Sequence, residues 1–299
     1  MQVRTRREIL ETLGFATGGA ALCSIAAPWV AAQRQAGDSK IKFGVQLNAF
    51  PIDPNRFDTF MDGLSQVKGI GYQGFESGFA NVMQQFAAPA EARKRIEQTG
   101  LTFFGIHIFL ATPKYDPQTF IAPASLYEPV AQGGKSLGAL HLILSGAPPA
   151  NEKELQQKID GLNAAGKFAR SAGLTAAYHN EYESKNSQKE LEALYTRTDP
   201  ALVSFLLDAG HAYRSGVNLP DFIRVHSKRI IGFHLRDYKD DRLVSLGQGT
   251  FPLQSVADTL KEIGWSGWVE NEEEREDHSH TGLKVIAPAY KAMKEAFAS

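Results

Sequence analysis

The sequence predicts an α/β fold, a (β/α)8 TIM barrel in a single domain. Short apolar or β-branched runs alternate with amphipathic helical patterns, and a strand candidate recurs about every 32 residues from residue 42 onward. A strand with its following helix takes about 30 residues, so eight such units account for the chain. An open doubly wound sheet is the main alternative, but the G-x-G-x-x-G fingerprint follows no early strand. We therefore expect a barrel.

Each element has its own local signal. The strand candidates begin near Lys42, Tyr72, Thr102, Ala139, Leu174, Val203, Ile230 and Gly267. Helices with apolar residues three and four apart are predicted along Phe57, Phe60, Met61, Leu64 and Val67, and along Leu253, Val256, Leu260 and Ile263. Asn151 is the predicted N-cap of a helix that begins at Glu152 and that Gly173 ends. Positive φ is predicted at the glycines between helix and strand, namely Gly71, Gly100, Gly138, Gly173 and Gly264.

The first 32 residues are predicted to be an export signal. The pair Arg6-Arg7 follows Thr5 and precedes two apolar residues, as in the twin-arginine signature, and a Gly- and Ala-rich apolar stretch comes next. We expect the twin-arginine translocation machinery to export the chain to the periplasm, with cleavage after Ala32. Residues 33–41 are then a short flexible lead-in and residues 42–299 the barrel.

Two other interpretations of the N-terminal segment are less favoured. Leu22 precedes Cys23 where a lipoprotein site needs a small residue, and an ordinary first helix fits the Gly content poorly. The stretch is also too short and too Gly-rich for a stable membrane anchor. Loss of this segment removes the one cysteine of the chain, and a cysteine-free protein suits an oxidising compartment.

Composition excludes several classes of function. The 32 Lys and Arg residues are balanced by 33 Asp and Glu residues, so the excess positive charge that nucleic-acid binding needs is missing. A single cysteine cannot form a disulfide framework or a CxxC metal site.

Ionisable residues collect at the predicted carboxyl ends of the strands, where TIM barrels hold their active sites. The set comprises Glu76, His107, His179, Glu181, Asp208, His211, His234, Asp237, Glu270 and Glu272. Taken singly, such residues are often helix caps or hydrogen-bonded core histidines, and the run from Glu272 to Glu276 resembles a solvated charge cluster. Taken together, buried carboxylates and imidazoles need a compensating charge, and we expect one divalent metal ion, Mn, Mg, Co or Zn.

Several motifs support a family resemblance. They are FGVQL in strand 1, GYQGFE in strand 2, YHNE in strand 5, LDAGH in strand 6, GFHLRD and LGQGTFPL around strand 7, and GWSGWVENE in strand 8. From about Lys42 to its C-terminus, the chain resembles the xylose isomerase-like TIM barrels known as sugar phosphate isomerases/epimerases. The order and spacing of these motifs are jointly specific.

The resemblance implies a metal held by residues of strands 5 to 8. Carried over by motif, Asp208, His234 and Glu270 match three ligands. Strand 5 departs from the family, because His179 stands where many members have Glu. We favour Glu181 as the fourth ligand, with His179 and Glu183 as alternatives.

The resemblance also implies roles in catalysis. Glu270, Glu181 and His179 are the expected catalytic residues, and His107, His211, Glu76 and Arg236 the expected substrate-binding residues. The implied reaction is isomerisation or epimerisation of an unphosphorylated carbohydrate, by proton transfer next to a carbonyl through an enediolate. Because of the His in strand 5, a dehydratase or lyase of keto-sugars or keto-glycosides, like the inosose dehydratases, is the alternative.

Two further functions belong to the same kind of barrel. An exported sugar-binding protein of this fold is the non-enzymatic alternative, and a repair nuclease of this fold is disfavoured by the charge. A homo-oligomer is compatible with the sequence.

Overall fold

The computed structural model describes residues 41–181, 187–274 and 281–298. The predicted export signal with Arg6, Arg7, Cys23 and its cleavage site lies outside the described residues, and so does Glu183. Within the described ranges, no helix has the length and hydrophobicity that a membrane crossing requires.

Eight parallel strands close into a barrel, as predicted. In sequence the strands are β1 Lys42–Gln46, β2 Gly74–Gly78, β3 Thr102–Ile108, β4 His141–Leu144, β5 Thr175–His179, β6 Val203–Asp208, β7 Ile230–Leu235, and β10 Trp268–Asn271. Each begins within two residues of its predicted start. Neighbours in the barrel follow the chain order, and β10 closes it against β1. An antiparallel hairpin of β8 Asp237–Lys239 and β9 Arg242–Val244 follows β7.

The helices surround the barrel. They are α1 Phe57–Ile70, α2 Pro89–Gln98, α3 Ala124–Leu137, α4 Glu152–Ser171, α5 Ser187–Arg197, α6 Ala209–Arg214, α7 Leu219–His226, α8 Leu253–Glu262 and α9 Leu283–Ala298. The predicted cap of α4 is confirmed, because the Asn151 side chain accepts a hydrogen bond from the backbone N–H of Glu154. All five predicted glycines have positive φ, from 60° at Gly264 to 111° at Gly71.

Apolar residues fill the lower interior of the barrel. Phe104 on β3 and Trp268 on β10 bring their ring centroids within 5.8 Å of each other. Because β3 and β10 are not neighbours in the sheet, this contact crosses the interior. Ile143, Ala177 and Leu206 complete the same cluster. The carboxyl ends of the strands are left to polar side chains, as expected for a TIM barrel.

One buried aspartate organises the segment after β7. The Asp237 carboxylate accepts hydrogen bonds from four backbone N–H groups, those of Tyr238, Gly247, Gly249 and Phe251, at 2.8 to 3.0 Å. A Cβ atom at Gly249 would lie 2.2 Å from the Asp237 carboxylate, so this position requires glycine. The LGQGTF segment is thus folded around one carboxylate beside the barrel mouth.

Candidate metal centre at the barrel mouth

Six strands deliver ionisable side chains to the upper interior of the barrel. Glu76 lies on β2, His107 on β3, His179 on β5, Asp208 on β6 and His234 on β7. Each of these side chains is almost fully buried. Glu272, which directly follows β10, is 2% exposed, and its backbone N–H donates to Leu235 O at 3.1 Å. The strand register pairs Asp208 with His234, which places both at one level.

Four of these residues form a compact group that we call the quartet: His179, Asp208, His234 and Glu272. One ligand atom of each lies within 4.8 Å of the other three. His234 Nδ1 lies 3.0 Å from His179 Nε2 and 2.5 Å from Glu272 Oε2, and His179 Nε2 lies 3.5 Å from Asp208 Oδ2.

The quartet fits a divalent metal ion. Two imidazole nitrogens and two carboxylate oxygens form a set that first-row divalent ions accept. The two nitrogens face each other, and at most one of them can donate a hydrogen bond to the other. A cation held between these four atoms would satisfy both nitrogens and both carboxylates at once.

Neighbouring groups fix the quartet. The Asn180 side chain accepts from the backbone N–H of Asp208 at 2.9 Å and donates to its carbonyl at 3.0 Å. Asp208 Oδ1 in turn accepts from the backbone N–H of His211 at 2.7 Å and begins α6. Arg236 Nε lies 2.7 Å from Asp208 Oδ2, and the same guanidinium contacts Glu272. The carboxylates of the quartet are therefore oriented from several sides.

Although the quartet is buried, the groups around it favour the charged forms of its side chains. Burial lowers the pKa of His234, but Glu272 and Glu76 outweigh it and raise that pKa to about 10. Burial likewise opposes the charged form of His179, whose pKa is nevertheless raised by Glu181, Asp208 and Glu272. For Asp208, burial is outweighed by Arg236, which holds the pKa of that carboxyl well below its usual range. Both histidines therefore favour the protonated form, and a metal ion would have to displace protons from the ring nitrogens that it binds.

A second group lies beside the quartet at the mouth. Glu181 Oε1 accepts from Ser145 Oγ at 2.8 Å and lies 3.1 Å from His179 Nδ1, while Glu181 Oε2 lies 3.5 Å from His211 Nε2. Burial raises the pKa of Glu181, but His179 outweighs it and the pKa is about 2. Burial lowers the pKa of His211 to about 4. Near pH 7, Glu181 is an anion and His211 a neutral imidazole.

Glu76 and His107 form a third group at the mouth. Glu76 Oε1 lies 2.9 Å from His107 Nδ1, and His107 Nε2 lies 2.9 Å from Ser145 Oγ. Burial raises the pKa of Glu76, but His234 and His107 outweigh it and hold the value at about 2. A hydrogen-bonded chain thus runs from Glu76 through His107 and Ser145 to Glu181.

The predicted metal ligands divide between three groups. Asp208 and His234 belong to the quartet, as the motifs implied. Glu181 instead groups with His107 and His179, and Glu270 groups with Glu76 and His234 below the quartet. Of the strand 5 alternatives, His179 contributes an atom to the quartet. The predicted substrate-binding residues His107, His211 and Arg236 all border these groups.

Glu272 lies at the end of the last barrel strand, as the sequence predicted, but it is not among the metal ligands that the motifs implied. The solvated charge cluster expected from Glu272 to Glu276 is contradicted at Glu272 and Glu273, which are 2% and 3% exposed, whereas Glu274 is exposed and residues 275–276 lie outside the described residues. Glu272 lies two residues after Glu270, so both point to the same side of the chain. The alternation of side chains along a strand could have indicated Glu272. Because β10 ends at Asn271, Glu272 lies closer to the barrel mouth than Glu270 does.

A cavity of about 140 Å³ opens at the mouth above these groups. Its polar lining includes Asn48, His107, Glu181 and Glu272. Phe109, which is 57% exposed, also lines it, together with Phe79. An apolar surface next to hydrogen-bonding groups suits a ligand with both C–H and O–H faces.

The closed parallel barrel, with two histidines and two carboxylates converging at its mouth, defines the class of TIM barrels with a candidate metal-ligand set at the carboxyl ends of the strands. Residues 64–296 match the family model described as xylose isomerase-like TIM barrel, and the chain belongs to this family.

Curated and solved relatives support the assignment. The chain is 31% identical over 254 residues to an inosose dehydratase of Bacillus licheniformis, covering 73% of this chain and 82% of that protein. A solved structure of the IolI protein with a bound zinc atom superposes with a TM-score of 0.68 at 16% identity, covering 86% of this chain and 98% of the other. D-allulose 3-epimerase from Methylomonas sp., solved with D-allulose, gives a TM-score of 0.69 at 15% identity, with 87% and 98% covered.

Proposed function

We propose that this chain is a divalent-metal-dependent lyase that removes water or an alcohol from an unphosphorylated keto-sugar or keto-cyclitol. The observation that carries the proposal is the distance of 3.5 Å between Glu181 Oε2 and His211 Nε2. An anionic carboxylate and a neutral imidazole this close address the same face of a substrate. One group takes a proton and its neighbour gives one, which is the requirement of a same-face elimination.

Glu181 is the proposed base. Its carboxylate is held in one orientation by Ser145 and His179, and its low pKa keeps it ionised. It accepts the proton from the carbon next to the substrate carbonyl. A divalent ion bound by the quartet would supply Lewis-acid polarisation of that carbonyl.

His211 is the proposed acid. As the C–O bond at the neighbouring carbon breaks, the N–H of His211 gives its proton to the leaving oxygen, and a C=C bond forms next to the carbonyl. In the same step the proton taken by Glu181 passes to the imidazole across the 3.5 Å gap, so the ring stays neutral. The products are water, or an alcohol for a glycoside, and an unsaturated ketone, and both residues regain their starting protonation.

The class of substrate follows from the lining of the mouth and from the relatives. Carboxylate, imidazole and amide groups beside two phenylalanines suit a polyhydroxy ring. The inosose dehydratase relative favours a keto-cyclitol or keto-sugar.

The test is to incubate the metal-loaded protein with an inosose in D2O and follow water loss by mass spectrometry. We expect Glu181→Gln to abolish both water loss and deuterium exchange. His211→Gln should reduce water loss at least tenfold while exchange at the acidic carbon continues. His226→Gln, which removes a histidine on α7 that faces Glu192, is the matched control and should retain both activities. Ligand binding with neither exchange nor elimination in the wild type would instead identify a sugar-binding protein.

Epimerisation is the second candidate, favoured by one observation. Two carboxylates line the mouth from separate strands, Glu181 after β5 and Glu272 after β10, with β6 and β7 between them. Two such groups on opposite faces could exchange a proton with inversion. Deuterium in unconsumed substrate of inverted configuration, with no loss of water, would establish this reaction and overturn the lyase.

The ligand assignment has a separate test. We propose the quartet of His179, Asp208, His234 and Glu272 as the resident metal site. Asp208→Asn and Glu272→Gln should each lower Mn²⁺ affinity by at least tenfold, measured by calorimetry on the metal-depleted protein. Undiminished affinity in both variants would exclude the quartet.

We also propose that the protein acts in the periplasm. The supporting feature is the Arg6-Arg7 pair and the segment around it. Replacement of both arginines by lysine should retain a precursor inside the cell in a fractionation experiment. Export that continues after this replacement would exclude the twin-arginine route.

A further inference from the structure

Below the quartet, three buried side chains converge in the barrel interior. Glu76 Oε2 lies 3.4 Å from His234 Nε2, and one ligand atom each of Glu76, His234 and Glu270 lies within 4.8 Å of the other two. All three side chains are 0% exposed. The quartet leaves these atoms unused, because His234 contributes Nδ1 there and Nε2 here.

Four polar atoms of this group are buried without a hydrogen bond. Among the described residues, both carboxylate oxygens of Glu270 are buried without a hydrogen-bond partner, as are Glu76 Oε2 and His234 Nε2. A buried carboxyl group without a hydrogen-bond partner is costly in either protonation state, and buried polar groups are normally hydrogen-bonded or bound to metal.

The charge balance of the interior points in the same direction. Six acidic side chains lie in and around the mouth within the described part of the chain: Arg236 contacts Asp208, Glu272 and Glu274, and histidines contact Glu76 and Glu181. One divalent ion in the quartet would compensate Asp208 and Glu272. Glu76 would still contact only His107 and His234, and the Glu270 carboxyl group would remain without a hydrogen-bond partner.

We propose that Glu76, Glu270 and His234 form a second, inner site for a divalent cation. Two carboxylates and one imidazole are oxygen and nitrogen ligands of the kind that Mn²⁺, Zn²⁺ and related ions accept. His234 is shared, with Nδ1 directed to the quartet and Nε2 to the inner site. With both sites filled, His234 would hold one cation through each ring nitrogen.

Glycine provides the space for this arrangement. A Cβ atom at Gly44 would lie 2.8 Å from Cγ of Glu270. Gly44 and Glu270 are register partners on adjacent strands. Glu270 therefore reaches its position because the neighbouring strand lacks a side chain there, and Gly44→Ala should displace it.

The inner site is tested by the stoichiometry of Mn²⁺ binding. Metal-depleted protein is dialysed against increasing Mn²⁺, and bound metal is measured by atomic emission. The wild type should bind two equivalents, Glu270→Gln one, and Gly44→Ala one. Glu262→Gln, which changes an exposed glutamate paired with Arg224, is the matched control and should keep two.

Electron paramagnetic resonance gives a second readout that does not depend on activity. Two Mn²⁺ ions on one imidazole should give a magnetically coupled signal in the wild type that is absent from Glu270→Gln. Thermal unfolding without metal checks that each variant is folded, and Glu270→Gln preserves the shape of the side chain. One equivalent in the wild type at saturation, or two retained by Glu270→Gln, would overturn the inner site while leaving the quartet and the lyase intact.

Discussion

Asn180 fixes the position of Asp208, a proposed metal ligand, without belonging to the proposed site itself. Its side chain makes two hydrogen bonds to the backbone of Asp208 and joins the ends of β5 and β6. Both backbone groups are buried, so neither regains a water partner easily when the side chain is lost.

Asn180→Ala should therefore cost about 2–4 kcal/mol of unfolding free energy, since two buried backbone groups lose their partners. Because the same bonds orient Asp208, Mn²⁺ affinity should also fall by about tenfold or more. Urea unfolding and calorimetry measure the two effects. Asn163→Ala is the control, because its hydrogen bond to the Asp199 N–H is exposed and should cost under about 1.5 kcal/mol. Equal losses in the two variants would contradict the role of Asn180.

His141 is a buried imidazole whose pKa the barrel interior lowers. It packs against the Phe104 ring at 4.7 Å and is 7% exposed. Burial lowers its pKa from 6.5 to about 4, with Glu76 opposing the shift. Between these two values the unfolded chain binds a proton that the folded chain does not, so this contribution to stability is lost as the pH falls from 6.5 to 4.

His141→Leu should remove that part of the acid sensitivity. Between about pH 6.5 and about pH 5 the wild type should lose about 2 kcal/mol more unfolding free energy than the variant. Urea unfolding at both pH values measures the difference. Parallel pH dependences of wild type and variant would show that His141 is not the group involved.

At the scale of elements, the strand starts were predictable and the ligand from β10 was not. Apolar runs and glycine-terminated helices give the spacing of βα units directly, because burial and positive φ are local demands. The choice between Glu270 and Glu272 is different. Both lie on one side of the chain, and the level at which β10 ends is decided by its pairing with β7 and β1.

The ligand from strand 5 was likewise not predictable from the sequence alone. Sequence placed His179 and Glu181 at the end of strand 5 and left three candidates for one ligand position. The structure directs His179 Nε2 to the quartet and Glu181 towards His211, because β5 ends at His179 and Glu181 follows in the loop. Side-chain direction beyond a strand end depends on tertiary contacts, which local patterns do not contain.

The segment after β7 depends on one carboxylate, so it offers a prediction at element scale. Asp237→Asn replaces one accepting oxygen by a donor that faces backbone N–H groups. We expect a loss of about 2–4 kcal/mol of unfolding free energy and faster hydrogen exchange at Gly247, Gly249 and Phe251. Asp258→Asn, on the exposed face of α8, should change neither. Unchanged exchange in Asp237→Asn would contradict the proposed role of the carboxylate.

At the scale of the whole molecule, the proposed metal site requires the barrel to be closed. The quartet takes its ligands from β5, β6, β7 and the residue after β10, four strands that are neighbours on one side of the barrel. Separation of any two of these strands takes the ligands apart, so the unfolded chain cannot reproduce the site. A cation that binds the folded chain alone stabilises all of it by mass action.

Mn²⁺ should therefore raise the melting temperature of the metal-depleted protein in proportion to the logarithm of its concentration. At about a hundred times the dissociation constant, one site contributes about 2.7 kcal/mol, which corresponds to roughly 5–10 °C for a domain of this size. Asp208→Asn should show less than half of this rise, because the side chain can no longer bind the cation as an anion. Differential scanning calorimetry measures both proteins, with Mg²⁺-free buffer as the reference. If Mn²⁺ left the melting temperature of the wild type unchanged, the quartet would not be a metal site. The convergent carboxylates and histidines would then stabilise the barrel by their own ion pairs.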